Sequence, residues 1–119
     1  MKEFMLVFRG SVQSEEAFAR QTPEQMKAEM TKWQSWMGGI AQQGKLVGGQ
    51  PLHPEGKVLK GTAQKLTDGP FIEGKDIVGG YLIIKAYDIN DAVAISRGCP
   101  SLTYDSGSVE VREIMPVEM

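Results

Sequence analysis

Side chains able to take part in chemistry are concentrated between positions 68 and 81 of this 119-residue chain. An Asp-Gly-Pro sequence begins at Asp68, and Phe71 and a Glu73/Lys75 pair follow it before the Gly-Gly-Tyr81 sequence. A surface turn needs glycine and proline, but it does not need an aromatic ring and two charges at fixed offsets. This surplus predicts a shaped loop beside a cleft that binds a ligand. The ligand-binding residues predicted here are Asp68, Phe71, Lys75 and Tyr81.

Each charged residue of this loop also has a plainer role. Asp68 could act as a general base or orient a ligand, although an aspartate before Gly-Pro more often bonds its own backbone in an Asx turn. Lys75 could bind an anionic group together with Glu73. Such a pair is more often a solvated ion pair that contributes about 0–1 kcal/mol.

His53 is the only histidine, and together with Asp68 it is a weak candidate for catalysis. A histidine can carry protons near neutral pH. Because His53 lies in a loop between two prolines, an exposed side chain without a catalytic role is the more frequent outcome. One histidine and one cysteine cannot supply the four protein ligands of a structural zinc site. The sequence therefore predicts no metal site, and it contains no motif for a cofactor.

Cys99 is the only cysteine and follows a helix stop at Gly98. The negative end of the helix dipole should raise the pKa of its thiol, which disfavours a nucleophilic thiolate. A single cysteine cannot form an internal disulfide, so a reducing compartment and a cytoplasmic location are expected.

The last predicted strand carries two further charged residues. If Val109 and Val111 face the helices, then Glu110 and Arg112 share the other face, and Arg9 of the first strand can join them. Two interpretations stay open. The three residues form an ion network at a subunit interface, or they form a polar pocket for a small anionic ligand with Tyr81 as its wall.

The elements that position these residues follow the order β-α-β-β-β-α-β within one domain, 1–119, and the strand predicted from Lys57 to Thr67 turns at Gly61. The first helix is predicted to begin at Thr22, which with Gln25 forms a capping box. Met26, Met30, Trp33, Met37 and Ile40 should form its packing face. Inside this helix, the Gly38-Gly39 pair indicates either close approach of another backbone or a kink. Asp88 or Asn90 caps the second helix.

This order indicates an α+β class with the ferredoxin-like plan, in which two helices cover one face of an antiparallel sheet. The strands predicted at Phe4–Arg9 and Val78–Tyr87 are apolar on both faces. Two helices cover only one of those faces, and monomers avoid exposing the other. We therefore expect a homodimer whose sheets pack face to face.

Composition excludes several classes of function. The net charge of −2 and the absence of a basic block argue against nucleic-acid binding. No apolar stretch approaches the length of a transmembrane helix, so no membrane association is expected.

Several segments together resemble one known family. They are Leu46-Val47-Gly48-Gly49-x-Pro51-Leu52, Thr67-Asp68-Gly69-Pro70-Phe71-x-Glu73-x-Lys75, Gly79-Gly80-Tyr81, Cys99-Pro100 and Gly107-Ser108-Val109-Glu110-Val111-Arg112. In this order they resemble the YCII-related proteins, and more closely the subgroup named for its Asp-Gly-Pro-Phe motif. The resemblance implies a dimeric α+β barrel built from ferredoxin-like subunits.

The resemblance implies less about function. Many YCII-type proteins carry a histidine in the first helix and an aspartate before a proline after the second helix, a pair suspected of catalysis. Here the first helix has no histidine, and Cys99 occupies the position before Pro100. The main interpretation is a dimer that binds or transforms a small anionic metabolite near the Asp-Gly-Pro-Phe loop. The alternative is a non-enzymatic dimeric module that acts through a protein partner, in transcriptional regulation, because some members of the subgroup are linked to alternative sigma factors.

Overall fold

The fold is taken from a computed structural model that describes residues 1–11, 20–53, 55–69 and 77–117. Its elements, in chain order, are β1 (Lys2–Gly10), α1 (Pro23–Gln42), β2 (Leu46–Pro51), β3 (Gly56–Lys60), β4 (Lys65–Gly69), β5 (Ile77–Ala86), α2 (Ile89–Ser96), a short 3-10 turn (Pro100–Thr103) and β6 (Ser108–Glu113). The strand predicted between Lys57 and Thr67 is a hairpin, and Gly61 in its turn has a φ of +73°.

Four strands form the main sheet in the order β2-β5-β1-β6, and each neighbouring pair is antiparallel. The hairpin of β3 and β4 forms a separate two-stranded sheet. The helices follow β1 and β5, so this small α+β structure agrees with a ferredoxin-like fold. The hairpin is an addition between the second and third strands of that plan.

Helix α1 begins as the sequence predicts. The side chain of Thr22 accepts a hydrogen bond from the backbone N–H of Gln25 at 3.1 Å, and the side chain of Gln25 accepts one from the N–H of Thr22 at 3.0 Å. The helix runs through Gly38 and Gly39 without a break. A Cβ at either glycine would meet no atom within 4 Å. Close approach of another backbone is therefore wrong within the described chain.

The core lies between the sheet and the two helices. Phe4 and Leu6 of β1 and Ile84 of β5 are fully buried, because alternate residues of a strand point to the same face. Ile40 of α1 and Ala92 of α2 complete this cluster from the helix side of the sheet.

Only the C-terminal half of the predicted α1 face joins the core. Met37 packs against the core cluster, whereas Met26 and Met30 are exposed, so the prediction was wrong for these two methionines. Trp33 and Trp36 contact Phe8 edge to face, with ring centroids 5.0 and 6.1 Å from it. These rings join α1 to the end of β1.

The other face of the sheet carries the alternate residues of the same strands. Val7 pairs with Tyr81 and Met5 pairs with Ile83 in the register of β1 and β5. All four side chains are half-buried. We call this surface the open face, because the core that the helices complete lies on the opposite side of the sheet.

Candidate functional site

The register of β6 places two charged side chains on the open face. Val109 and Val111 pack toward the core, so the alternate residues Glu110 and Arg112 point to the open side. Glu110 pairs with Val7 across the strands, and Arg112 pairs with Met5. The predicted charged residues therefore border an apolar centre.

Arg9 and Glu110 form an ion pair at one end of this face. The Nε and Nη2 atoms of Arg9 both donate hydrogen bonds to Oε2 of Glu110, at 3.2 and 3.1 Å. The two side chains are 34% and 39% exposed. At this exposure the pair stabilises the subunit by no more than about 1 kcal/mol. Exclusion of water by a partner or ligand would strengthen it, because the local dielectric constant would fall.

Arg112 lies two residues beyond Glu110 on the same face and is exposed. In the described ranges no carboxylate forms an ion pair with it. Arg9, Glu110 and Arg112 together carry one net positive charge. The side chain of Tyr81 lies on the same face, across from Val7, and its hydroxyl can donate a hydrogen bond. This set, which we call the open-face cluster, can attract a small anion.

Asp68 lies in a strand rather than at the corner of a turn. It pairs with Lys57 in the β3–β4 hairpin, and its carboxylate accepts a hydrogen bond from the Lys57 ammonium. Both side chains are largely exposed. Asp68 therefore forms a cross-strand ion pair, and the backbone groups at positions 70 and 71 that an Asx turn would use lie outside the described residues.

The remaining predicted residues are His53, Phe71 and Lys75. His53 is exposed, as expected for its loop. Phe71 and Lys75 lie outside the described residues. The described chain resumes at Ile77, which pairs with Gly10 beside Arg9. Ile77, at the start of β5, therefore lies at the end of the sheet that holds the Arg9–Glu110 pair.

A second candidate region lies on the helix side of the sheet, and the sequence analysis missed it. It is a cleft of about 650 Å³ between α1 and the segment that follows α2. We call it the helix-turn cleft. Its volume is within the usual range of about 300–1,000 Å³ for small-molecule sites. Its described lining contains the cations Lys32 and Arg97, and no carboxylate.

Trp36 and Gly98 fix the wall of the helix-turn cleft. The indole Nε1 of Trp36 donates a hydrogen bond to the carbonyl oxygen of Ile95 at 3.1 Å. This bond pairs one of the carbonyl groups that the end of α2 would otherwise leave open. A Cβ at Gly98 would lie 3.0 Å from Cδ1 of Trp36, so glycine permits the close contact between helix and turn.

Cys99 lies in the floor of the same cleft and is buried. Its Sγ lies 3.0 Å from Oγ of Ser101. Burial raises the pKa of the Cys99 thiol, and the hydrogen bonds with Ser101 partly oppose this increase. The predicted direction is correct, but the main cause is loss of solvation and not the helix dipole. A neutral thiol at this place is not suited to nucleophilic attack.

Comparison with family models gives one match, to the YCII-related domain over residues 5–118. The chain belongs to the YCII-related domain family. No curated protein matches it. The match covers nearly the whole sequence, so all of the elements described above belong to this domain.

The position before Pro100, at which the resemblance implies an aspartate, lies in the helix-turn cleft of this YCII-related protein. Cys99 and Pro100 line the helix-turn cleft opposite residues of α1. The sequence carries neither a histidine in α1 nor an aspartate at position 99. The described lining of the cleft therefore lacks a general acid–base pair of that kind.

Two wider features bear on the class of function. Among residues 1–11, 20–53, 55–69 and 77–117, no three histidine, cysteine or acidic side chains lie close enough to hold a metal ion. Neither helix in these ranges combines the length and hydrophobicity needed to cross a bilayer.

A sequence signal for the helix-turn cleft did exist. Lys32 and Trp36 are four residues apart and share one side of α1, and Arg97 precedes the Gly-Cys-Pro sequence that ends α2. Finding the cleft also required the packing of α1 against that turn. This packing depends on contacts between residues about 60 positions apart.

Proposed function

We propose that this YCII-related protein is a homodimer that binds a small anionic molecule at the border of its open face, where residues 70–76 join β5. The observation that carries the proposal is the composition of this face. Its centre is apolar, and its border holds the Arg9–Glu110 pair and Arg112, with which no carboxylate of the described residues forms an ion pair. A second subunit on the centre would remove water from the border and leave one net positive charge there.

The dimer is tested by placing a charge at the centre of the open face. Ile83→Asp should convert a dimer of wild-type protein into a monomer in size-exclusion chromatography with light scattering, because the buried carboxylate would have no partner. Leu59→Asp adds the same charge to the exposed hairpin and should leave the dimer intact. A wild-type protein that stays monomeric at high micromolar concentration would contradict the dimer.

The anion site is tested by thermal shift with a panel of anionic metabolites. A ligand that raises the unfolding temperature of wild-type protein should have a much smaller effect on Arg112→Gln. Lys65→Gln removes the same charge from the hairpin and serves as the control. Equal shifts in all three proteins would reject the open-face cluster as the site.

A second candidate function is binding of a regulatory protein, and the hairpin supports it. Leu59 and Leu66 form a cross-strand pair and are 67% and 61% exposed. Two exposed leucines on an arm outside the main sheet are suited to contact with another protein. A partner retained by wild-type protein and by Ile83→Asp, but lost with Leu59→Ser, would favour this candidate over the anion site.

Two narrower assignments go with the proposal. The Asp-Gly-Pro-Phe sequence at 68–71 supports membership of the subgroup named for that motif. The single, buried, free Cys99 supports a reducing, cytoplasmic location.

A further inference from the structure

We infer that the helix-turn cleft is a second binding site, separate from the open-face cluster, for a small amphipathic anion. The ligand class is a molecule with an apolar, preferably aromatic, body and one carboxylate or phosphate group. No residue of the open-face cluster lines this cleft.

The chemistry of the cleft is divided between an apolar and a polar part. Trp36, Pro100 and Leu102 supply the apolar surface. The cations Lys32 and Arg97 and the hydroxyl group of Ser35 supply the polar part, whereas the hydroxyls of Thr31 and Thr103 donate to backbone carbonyl oxygens. Small-molecule sites typically combine an apolar lining with a few polar groups of this kind.

The charge of the cleft selects an anion. Its described lining carries two positive charges and no negative one. Lys32 lies 3.9 Å from Oε2 of Glu29, at the limit of an ion pair, and its side chain is 58% exposed. Within the described chain no carboxylate pairs with Arg97. Its planar guanidinium can bind a carboxylate or phosphate through two hydrogen bonds.

The wall of the cleft is ordered before any ligand binds. The Trp36 indole is fixed by its bond to Ile95 and by its edge-to-face contact with Trp33, with ring centroids 5.7 Å apart. In the turn, Thr103 Oγ1 donates to the carbonyl oxygen of Pro100 at 2.7 Å. A preformed wall reduces the conformational entropy that the protein must lose when a ligand binds. The cleft lies on the helix side, so a second subunit on the open face would leave it accessible.

Phenyl phosphate is a suitable probe, because it joins an aromatic ring to a phosphate, and phenol is its uncharged counterpart. Titration of ¹⁵N-labelled protein with phenyl phosphate should shift the indole N–H signal of Trp36 and the amide signal of Gly98 in a saturable way. Phenol should cause much smaller shifts. Benzoate in a parallel titration decides between a carboxylate and a phosphate as the preferred group.

The variant Arg97→Gln should weaken binding of phenyl phosphate by about 10- to 150-fold, the range expected for loss of a hydrogen bond to a charged group. Lys27→Gln removes an exposed charge from the same helix as Lys32, outside the cleft, and should bind as wild type does. Equal unfolding midpoints of the two variants would exclude a folding defect.

Three results would overturn the inference: no saturable shift at millimolar phenyl phosphate, equal binding of phenol, or equal affinities of Arg97→Gln and Lys27→Gln. The test does not depend on the dimer. Arg112→Gln should bind the probe as wild type does, which separates this site from the open-face cluster.

Discussion

The two faces of the main sheet are built from the same strands but differ in what covers them. On the helix side, Phe4, Leu6 and Ile84 are fully buried. On the open side, Val7 and Ile83 are only half-buried, and charged residues border them. The first face is a completed core that holds the subunit together. The second face has the apolar character of a core, but the helices do not close it, so our proposal places association and ligand binding there.

The largest expected effect compares two adjacent isoleucines of β5. Ile84→Ala should lower the free energy of unfolding by about 2–5 kcal/mol, because it leaves a cavity in a closed core. Ile83→Ala removes the same atoms from the open face and should cost the subunit much less. Chemical denaturation over a range of protein concentrations measures both variants. Equal losses that do not depend on concentration would contradict the distinction between the faces.

The sequence predicts that Ile83 and Ile84 face opposite sides of the sheet, because successive residues of a strand alternate between its two faces. Strands, the start of α1 and the turn at Gly61 follow from local residue patterns, and the structure confirms them. The ion pair between Arg9 and Glu110 depends on which face of β6 carries Glu110. It also depends on the register between β1 and β6, which lie about 100 residues apart in the chain. The burial of Met26 and Met30 was predicted wrongly, because helical periodicity does not show where a helix extends beyond the core. The helix-turn cleft was missed for a similar reason, since it depends on the packing of α1 against the turn after α2.

A second comparison concerns the two tryptophans that help to cover the helix side. Trp36→Phe should lower the free energy of unfolding by about 1–3 kcal/mol, because the carbonyl of Ile95 loses its partner in a partly buried place. Trp33→Phe keeps an aromatic ring against Phe8 and serves as the control. If Trp33→Phe lowers the free energy of unfolding more than Trp36→Phe does, the hydrogen bond from Trp36 to Ile95 is not a main stabilising contact on the helix side.

The buried thiol of Cys99, which lies on the helix side, predicts that the free energy of unfolding depends on pH. Its pKa in the folded state lies above the ordinary value of 9.0. The unfolded chain therefore releases this proton first as the pH rises. The contribution to stability is complete below pH 9 and is lost as the pH passes through the folded-state pKa. Wild-type protein should lose more stability than Cys99→Ala between neutral and alkaline pH, as measured by denaturation at each pH. Parallel curves would show that the thiol has no raised pKa.

The smallest expected effect concerns the ion pair of the open face. In a dissociated subunit, a double-mutant cycle with Arg9→Gln and Glu110→Gln should give a coupling energy of about 0.2–1 kcal/mol, because both side chains are in contact with water. Ile83→Asp provides that dissociated background. In the proposed dimer, the same cycle applied to the dissociation constant should give a larger coupling, since a covering subunit would lower the local dielectric constant. A coupling that is the same in both backgrounds would mean that the partner leaves the Arg9–Glu110 pair in water. The open face would then be apolar enough to associate, but its border would not be an enclosed site for an anion.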